Sequence, residues 1–535
     1  MDVDVAVVGA GFAGLYAVHR CARAGLTVQC FEAGGGVGGT WYWNRYPGAR
    51  CDVESVDYSY SFDPDLQRDW KWSENYATQP EILAYLEHVA DRFGLRRYVR
   101  LGERVVAAAY DSVTARWRVR TDAGTVAAAR FLVLATGSLS QPVLPDIPGV
   151  DTFAGRTLLT ARWPTDEVDV AGQRVAVVGT GSSGIQSIPI LARAAARLTV
   201  FQRSPNFSVP VDIRRFGPEE RERIEREYPE RRRVSWDSGA GTPHRSHPSP
   251  ASELTAEQRE AAFEERWRTG GVLFAKTFDG QMVDEKLNEL ARDFVVRKIR
   301  ATVADPRVAD ELVPTDHPIG TKRICTDSGY YETFNLPHVN LVNLRREPIT
   351  EVTPDGIRTT AGRYEFDVII YATGFDAMTG AVTRIDIRGP RGDTAAGAWR
   401  HGPVTYLGLT IPGLPNLFVL NGPGSPSVLA NMVMHAEQQV DWVVDLVDMC
   451  RREGIDEVEP RADAAEKWTA HVTETAEATL FPRANSWYMG ANIDGKTRVF
   501  MPYLGGFGAY RRICAEVAAG GYEGFVLTRR FGGAR

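Results

Sequence analysis

Two glycine-rich turns, each set between an apolar segment and a helix-like segment, constrain the fold of this chain more than any other feature. The first turn is GAGFAG, which follows the apolar residues 3–8 and opens LYAVHRCARAG. The second is GTGSSG, which follows RVAVV and opens IQSIPILARAAAR. A strand, a G-x-G-x-x-G turn and a helix in this order are typical of dinucleotide-binding βαβ units. The six turn glycines are Gly9, Gly11, Gly14, Gly179, Gly181 and Gly184.

The residue that ends the next strand distinguishes the two predicted ligands. In the first unit Glu32 ends TVQCFE, where an acidic side chain binds a free ribose hydroxyl, and this favours FAD. In the second unit Gln202 and Arg203 occupy the matching place. A carboxylate would repel a 2′-phosphate, whereas an arginine binds one, so the second unit is predicted to prefer NADPH over NADH. The competing interpretation is that Arg203 is an ordinary surface arginine.

The composition excludes several classes of protein. A chain of 535 residues is too long for one core, because domains usually hold about 100 to 200 residues. The net charge of −6 argues against nucleic acid as a partner. No apolar run reaches the roughly 18 residues of a membrane span, and no leader segment is visible, so we expect a cytoplasmic protein without a membrane anchor. Six cysteines, with neither CxxC nor zinc-site spacing, predict free thiols and no metal.

These patterns predict an α/β fold with two doubly wound, Rossmann-like dinucleotide-binding domains and a helical insertion. The two βαβ units begin about 170 residues apart. Between them and the later strands lie the charged, helix-favouring segments PEERERIEREYPERRR and ELTAEQREAAFEERW. ATGSLS and ATGFDA are strand-to-glycine turns that can carry the chain between the two domains. We expect an FAD domain from 1–140 and 380–535, an NADP domain from 141–212 and 320–379, and a mainly helical insertion at 213–319.

Longer motifs resemble one family of enzymes. GAGFAG, GGTWYWNRYPGARCD, ATGSLSQP, FAGRTLLTARWP, GTGSSGIQ, FQRSP, GTKR, ATGFDA and NGPGSPS occur in the order seen in class B flavoprotein monooxygenases. The chain is most similar to Baeyer–Villiger monooxygenases of the phenylacetone and cyclohexanone monooxygenase type, from residue 3 to the C-terminal YEGFVLT. The resemblance implies FAD and NADPH as cofactors. It also implies the conversion of a ketone into an ester or lactone with O₂ through a C4a-peroxyflavin.

The resemblance also implies which residues act. Arg323 in GTKR matches the active-site arginine, which stabilises the peroxide anion and the tetrahedral adduct. Asp52 matches the acid that pairs with it. Lys322 matches a residue that helps to hold the NADP phosphate, and Trp487 matches a tryptophan of a mobile loop that contacts the nicotinamide cofactor. The predicted cofactor-binding set is Gly9, Gly11, Gly14, Glu32, Gly39, Trp41, Asp52, Gly179, Gly181, Gly184, Arg203, Ser204, Lys322 and Trp487.

One motif departs from the family pattern. Phe153, Gly155 and Trp163 fit the signature F-x-G-x-x-x-H-x-x-x-W, but Leu159 stands at the histidine position. A leucine cannot form a hydrogen bond or carry charge. The family histidine belongs to an interdomain linker and supports cofactor movement, so the change puts efficient NADPH coupling in question. The other interpretation is that the linker folds normally with leucine.

Three alternative functions remain at this point. One is the oxygenation of sulfur or nitrogen, which depends less on Arg323. Another is an FAD- and NADPH-dependent disulfide reductase, which would need a redox cysteine pair that the spacing does not provide. The third is a nucleotide-binding protein that no longer oxygenates, suggested by Leu159. For the leading function, residues 421–432 (NGPGSPSVLANM) are expected to line the substrate pocket. Neither the ketone nor an oligomeric state is predicted.

Overall fold

The first glycine turn lies in a mixed eight-stranded sheet of the computed structural model, which describes residues 1–530. The strands around the turn are parallel, and residues 105–121 add an antiparallel hairpin. Leu417–Val419 also pairs with Val126–Leu134. The remaining order across the sheet is Asp386–Arg388, Val105–Asp111, Arg116–Thr121, Val126–Leu134, Asp2–Val8, Val28–Glu32 and Val99–Leu101.

The second glycine turn lies in a separate sheet of five strands, all parallel. Parallel strands buried on both faces read as continuous apolar runs, and the central strand RVAVV has this character. The strands in spatial order are Val339–Asn343, Arg197–Gln202, Arg174–Val178, Val368–Tyr371 and Arg156–Leu159. A three-stranded antiparallel sheet follows the first of these in sequence: Ile349–Thr353, Gly356–Thr359 and Arg363–Glu365.

The two strand-to-glycine turns ATGSLS and ATGFDA occupy equivalent places in the two sheets. Gly9 has φ of +102°, and a Cβ there would lie 2.5 Å from the carbonyl oxygen of Ala135. Gly179 has φ of +113°, and a Cβ there would lie 2.5 Å from the carbonyl oxygen of Ala372. Each turn therefore packs directly against the first glycine of a fingerprint, where only glycine fits.

The segment predicted as a helical insertion contains four α-helices and packs against the second sheet. The first is the charged helix Pro218–Asp237. Aromatic side chains from the insertion, including Phe263, Phe274 and Phe294, share one core with Val175 and Ile185 of the nucleotide unit. The paired strands Ser208–Pro210 and Cys325–Asp327 flank the insertion. The other three α-helices are Ala256–Thr269, Glu285–Thr302 and Pro306–Leu312.

The remaining α-helices pack around these sheets. They are Phe12–Arg23, Thr40–Trp43, Pro64–Asp69, Gln79–Arg92, Ser182–Ala194, Tyr330–Thr333, Gly380–Thr383, Ala395–Ala398, Met432–Glu453, Ala462–Glu477 and Phe507–Ala519. Short 3₁₀ turns span Leu95–Tyr98, Thr160–Arg162, Ala251–Glu253, Gly271–Lys276, Ser427–Leu429, Phe481–Arg483 and Trp487–Met489. Glu457–Pro460 pairs with Phe525–Thr528 near the end of the chain. Within residues 1–530, no helix is both long and apolar enough to span a membrane.

Candidate active site

A cavity of about 470 Å³ opens at the first glycine turn. Five predicted residues line it: Gly9, Gly11, Glu32, Gly39 and Trp41. Residues of the segment 421–432, which was expected to line a pocket, also reach this cavity through Asn421, Val428 and Met432. The structure therefore brings these five residues together around one cavity, whereas Gly14 does not line it.

The glycines of this cavity let a ligand approach the protein backbone closely. A Cβ at Gly14 would lie 1.8 Å from the carbonyl oxygen of Gly9, so the helix can pack against its strand only because Gly14 has no side chain. Gly39 has φ of +54°, and a Cβ there would lie 2.8 Å from the Cα of Gly11. The turn therefore presents bare backbone to the cavity, which suits the pyrophosphate of FAD.

Glu32 is held at the edge of the same cavity. Its carboxylate accepts hydrogen bonds of 2.7 Å from the backbone N–H of Ala10 and 2.7 Å from that of Gly34. Only 5% of the residue is exposed. Burial raises the pKa of Glu32, and the two backbone donors oppose that shift. The carboxylate is therefore fixed at the edge of the cavity, at the end of the strand Val28–Glu32.

Three arginines that the sequence analysis did not identify complete this cavity. Arg104, Arg162 and Arg384 line it. Burial lowers the pKa of Arg162, and the positive charges of the other two lower it further. A concentration of positive charge favours an anionic ligand such as a dinucleotide. Arg162 belongs to the motif ARWP and could have been proposed from it, whereas the other two stand in no recognisable motif.

The second glycine turn repeats the first in its packing. A Cβ at Gly184 would lie 2.3 Å from the carbonyl oxygen of Gly179. The hydroxyl of Thr180 in the turn donates to the backbone carbonyl of Ser204 over 3.1 Å. Arg203 is exposed, and among residues 1–530 its side chain has no hydrogen-bond or ion-pair partner. This arrangement leaves a free guanidinium at the end of the strand, next to the nucleotide-binding turn.

Arg323 and Asp52 form a two-point ion pair, although they are far apart in the sequence. The Nε of Arg323 lies 2.5 Å from Oδ2 of Asp52, and its Nη2 lies 2.8 Å from Oδ1. Its Nη1 donates to the carbonyl oxygen of Val428 over 2.9 Å, which places the guanidinium against a wall of the first cavity. Burial opposes the charged form, but the Asp52 carboxylate outweighs it and raises the pKa of Arg323.

The loop that contains Asp52 is fixed by backbone hydrogen bonds. Cys51 N–H donates to the carbonyl oxygen of Ala77 over 3.1 Å, and Gln79 N–H donates to that of Ala49 over 2.8 Å. Arg323 lies just before the strand Cys325–Asp327. The pair therefore joins a loop near the first sheet to the end of the insertion.

Trp487 lies in a 3₁₀ turn close to this pair. Its ring centroid is 4.2 Å from that of Tyr488, which is buried and whose neighbours include Arg323. Burial raises the pKa of Tyr488, and the positive charge of Arg323 lowers it. Trp487 and Met489 pack with Val428 and Leu504 in an apolar cluster. The predicted tryptophan is thus connected to the predicted arginine through Tyr488.

Leu159 is the last residue of an edge strand of the second sheet. It lies opposite Tyr371 in a parallel pair and is partly buried against the apolar cluster that contains Phe201 and Val342. The next residue, Thr160, has its hydroxyl 3.2 Å from that of Ser183 at the second glycine turn. The linker is therefore folded with leucine at this position.

The six cysteines of the described chain are all buried and unpaired. Burial raises the pKa of Cys21 to about 12 and that of Cys325 to about 11, so these thiols remain protonated at neutral pH. A disulfide reductase needs a reactive thiolate, which these sites do not provide.

Two dinucleotide folds and a half-buried guanidinium–carboxylate pair beside the first cavity define the class of protein as a flavin- and pyridine-nucleotide-dependent oxidoreductase. A sequence profile of the pyridine nucleotide-disulphide oxidoreductase family matches residues 3–239. The solved structure of an oxidised steroid monooxygenase bound to NADP is 55% identical, with a TM-score of 0.95 over 99% of this chain and 100% of that chain.

Curated relatives identify the family within this class. The acetone monooxygenase (methyl acetate-forming) of Gordonia sp. (strain TY-5) is 40% identical over 98% of this chain and 99% of its own length. A Baeyer–Villiger monooxygenase of Pseudooceanicola batsensis is 40% identical over 99% of this chain and 97% of its own length. The chain belongs to the Baeyer–Villiger family of flavoprotein monooxygenases. This confirms the predicted fold class and the predicted cofactors, FAD and NADPH.

Proposed function

We propose that this protein converts a small-molecule ketone into an ester or lactone, and that the reaction takes place beside Arg323. The ion pair between Arg323 and Asp52 at the wall of the first cavity carries this proposal. The related acetone monooxygenase, named for the formation of methyl acetate, carries out a reaction of the same type. These relatives do not favour the two alternatives, which are oxygenation of sulfur or nitrogen and a nucleotide-binding protein that no longer oxygenates.

The structure supports a specific task for Arg323. Bound FAD, after reduction by NADPH, supplies the activated oxygen. Addition of a nucleophile to the carbonyl carbon of a ketone places negative charge on the carbonyl oxygen. The guanidinium of Arg323 can stabilise this charge because it remains positive at any pH at which the enzyme works. Asp52 and the Val428 carbonyl hold the plane of this guanidinium, so it needs no rearrangement during the reaction. Preorganised charge of this kind acts mainly on the transition state.

The surroundings of the pair support a ketone as the substrate class. The apolar cluster next to Arg323 includes Leu139, Met378, Leu429, Trp487 and Phe500. Apolar walls with a few polar groups are usual for small-molecule sites. They also exclude water, which strengthens the interaction between the guanidinium and a developing oxyanion.

We assign the other site residues on the same basis. Gly9, Gly11 and Gly39 present backbone to FAD, Gly14 lets the helix pack closely against its strand, and Glu32 accepts a hydrogen bond from a ribose hydroxyl. Gly179, Gly181 and Gly184 take the NADPH pyrophosphate, with Arg203, Ser204 and Lys322 near the 2′-phosphate. Trp487 closes over the nicotinamide. Asp52 acts by orienting Arg323, while Trp41 forms part of the FAD wall.

A substrate panel tests the proposal. The FAD-loaded enzyme is supplied with NADPH and O₂ and offered acetone, cyclic, aryl, terpenoid and steroid ketones, together with one thioether. We expect at least one ketone to gain one oxygen atom, measured by mass spectrometry, with matching consumption of NADPH. Oxygenation of the thioether with no ketone turned over would contradict the proposal.

A further inference from the structure

Arg345 lies at the same edge of the second sheet as Arg203. The strand Val339–Asn343 runs parallel to Arg197–Gln202, and Asn343 stands opposite Gln202. The residues that follow the two strands therefore emerge side by side. Nη2 of Arg345 donates to Oγ of Ser204 over 2.9 Å. Since Ser204 also bonds to Thr180 of the glycine turn, Arg345 adjoins the nucleotide-binding turn.

One carboxylate holds this edge together. Asp316 forms an ion pair with Arg345, and its Oδ1 lies 3.8 Å from Nζ of Lys322. The Nδ1 of His317 lies 2.6 Å from the same oxygen. Burial lowers the pKa of His317, which disfavours a positive charge on this imidazole. Asp316 thus draws two cations toward one point beside Ser204.

The charges at this edge match a phosphate monoester. Arg203 and Arg345 both act on the pKa of Lys322, which places all three cations near one another. Together with the carboxylate of Asp316, these three cations give a net of two positive charges, while the nearby carboxylate of Glu311 is paired with Arg346. A phosphate monoester carries about −1.5 to −2 charges at neutral pH. Of the three cations, sequence analysis identified only Arg203 and Lys322.

We propose that Arg345 is a third cationic ligand of the NADPH 2′-phosphate and a determinant of the preference for NADPH over NADH. Its guanidinium already has two anchors, Ser204 and Asp316, and is therefore positioned before the nucleotide arrives. Because it is planar and offers several donors, it can bind the phosphate while keeping one anchor. The inference rests on NADPH use by this family and does not depend on the identity of the ketone.

The neighbouring arginine provides a matched control. Arg346 differs from Arg345 by one position but is directed toward Glu311, with Nη1 2.5 Å from Oε1. Its side chain is 79% exposed, compared with 45% for Arg345. Replacing either residue removes one positive charge from the same surface loop. Only the loss of Arg345 removes a group from the proposed phosphate site.

The test compares Arg345→Met with Arg346→Met in the FAD-loaded protein. Calorimetric titration with 2′,5′-ADP and with 5′-ADP measures the contribution of the 2′-phosphate without any ketone. We expect Arg345→Met to weaken 2′,5′-ADP binding about tenfold and to leave 5′-ADP binding unchanged, because one charged contact is lost. Anaerobic flavin reduction should show the same selective loss for NADPH against NADH, with an unchanged limiting rate. Arg346→Met should behave as the unmodified protein.

Two outcomes would overturn the proposal. One is an unchanged affinity of Arg345→Met for 2′,5′-ADP. The other is an equal loss for both nucleotides, which would indicate a general change of the loop. Neither outcome bears on ketone oxygenation, since no ketone is present in these experiments. Conversely, if no ketone in the substrate panel were oxygenated, the nucleotide titrations would still test the role of Arg345.

Discussion

Arg323 shows how one residue can be half-buried and permanently charged. A buried charge is costly unless it is paired and hydrogen-bonded. Asp52 and the Val428 carbonyl meet this requirement with three hydrogen bonds. The guanidinium still carries N–H groups that these partners do not use, since it has five donors in all. The pairing therefore stabilises the charge and leaves donors available for a substrate.

Removing this charge should separate reduction from oxygenation. We expect Arg323→Ala to bind FAD and to be reduced by NADPH, with ester formation lowered by on the order of 10² to 10³, because one preorganised charge-stabilising group is lost. Arg323→Lys should recover little, since an ammonium cannot pair at two points with Asp52. Stopped-flow measurement of flavin reduction and chromatography of the ester check the two steps separately.

A second ion pair serves as the control for this experiment. Arg174 forms a comparable two-point pair with Asp367, including a 2.9 Å contact from Nη2 to Oδ1, at the start of a strand far from Arg323 in the sequence. Arg174→Ala should leave ester formation nearly unchanged. Near-normal ester formation in Arg323→Ala would show that the positive charge comes from another group.

At the scale of the element, the two strand–turn–helix units are built on the same steric rule. In each, the third glycine of the turn packs against the carbonyl of the first. In each, a second turn, at Ala135 or Ala372, covers the first glycine. The helix can approach its strand closely only while these positions lack a Cβ. A substitution in one turn should therefore impair the binding of that unit's nucleotide and leave the other unit intact.

Alanine substitutions in the two turns test this independence. Gly14→Ala places a Cβ 1.8 Å from the Gly9 carbonyl oxygen and should produce protein with little bound FAD. Gly184→Ala places a Cβ 2.3 Å from the Gly179 carbonyl oxygen and should retain FAD but lose reduction by NADPH. Gly362→Ala is the control, because nothing lies within 4 Å of the added atom. Flavin absorbance per chain and the rate of reduction are the two measurements. Full FAD content in Gly14→Ala would refute the steric argument.

At the scale of the whole molecule, FAD is expected to form part of the interior of the first unit. The cavity of about 470 Å³ lies between the sheet, the loop at Gly39 and the segment that contains Val428. Filling such a cavity buries ligand and protein surface together. A ligand that binds only the folded state stabilises it by about 2.7 kcal/mol at a free concentration 100 times its Kd. The purified protein should therefore be yellow, and its stability should depend on the flavin.

Release and replacement of the flavin check this expectation. Chromatography of the released cofactor should identify FAD, and removal of FAD should lower the apparent Tm by several degrees. Adding FAD back should restore the apparent Tm, whereas FMN, which lacks the adenylate that the glycine turn and Glu32 would bind, should restore little. Identification of FMN in the native protein, or an unchanged apparent Tm, would argue against this assignment of the cavity.

The sequence by itself determined the two nucleotide-binding units. The glycine positions follow from local requirements, a left-handed φ at Gly9 and Gly179 and the absence of a Cβ at Gly14 and Gly184, so they can be recognised without any long-range contact. The strand-end residues Glu32 and Arg203 follow from the same local pattern. Arg323 and Asp52 were identified only through the family resemblance, because neither has a local pattern of its own.

Only the tertiary structure decided which distant groups share a site. Arg345 joins Arg203 because two parallel strands, 141 positions apart in register, end at one edge of the sheet. Arg104, Arg162 and Arg384 converge on the first cavity from separate segments of the chain. Side chains such as these have no characteristic sequence spacing. Their function depends on where strands and loops end in space, and that position is set by the packing of the whole molecule.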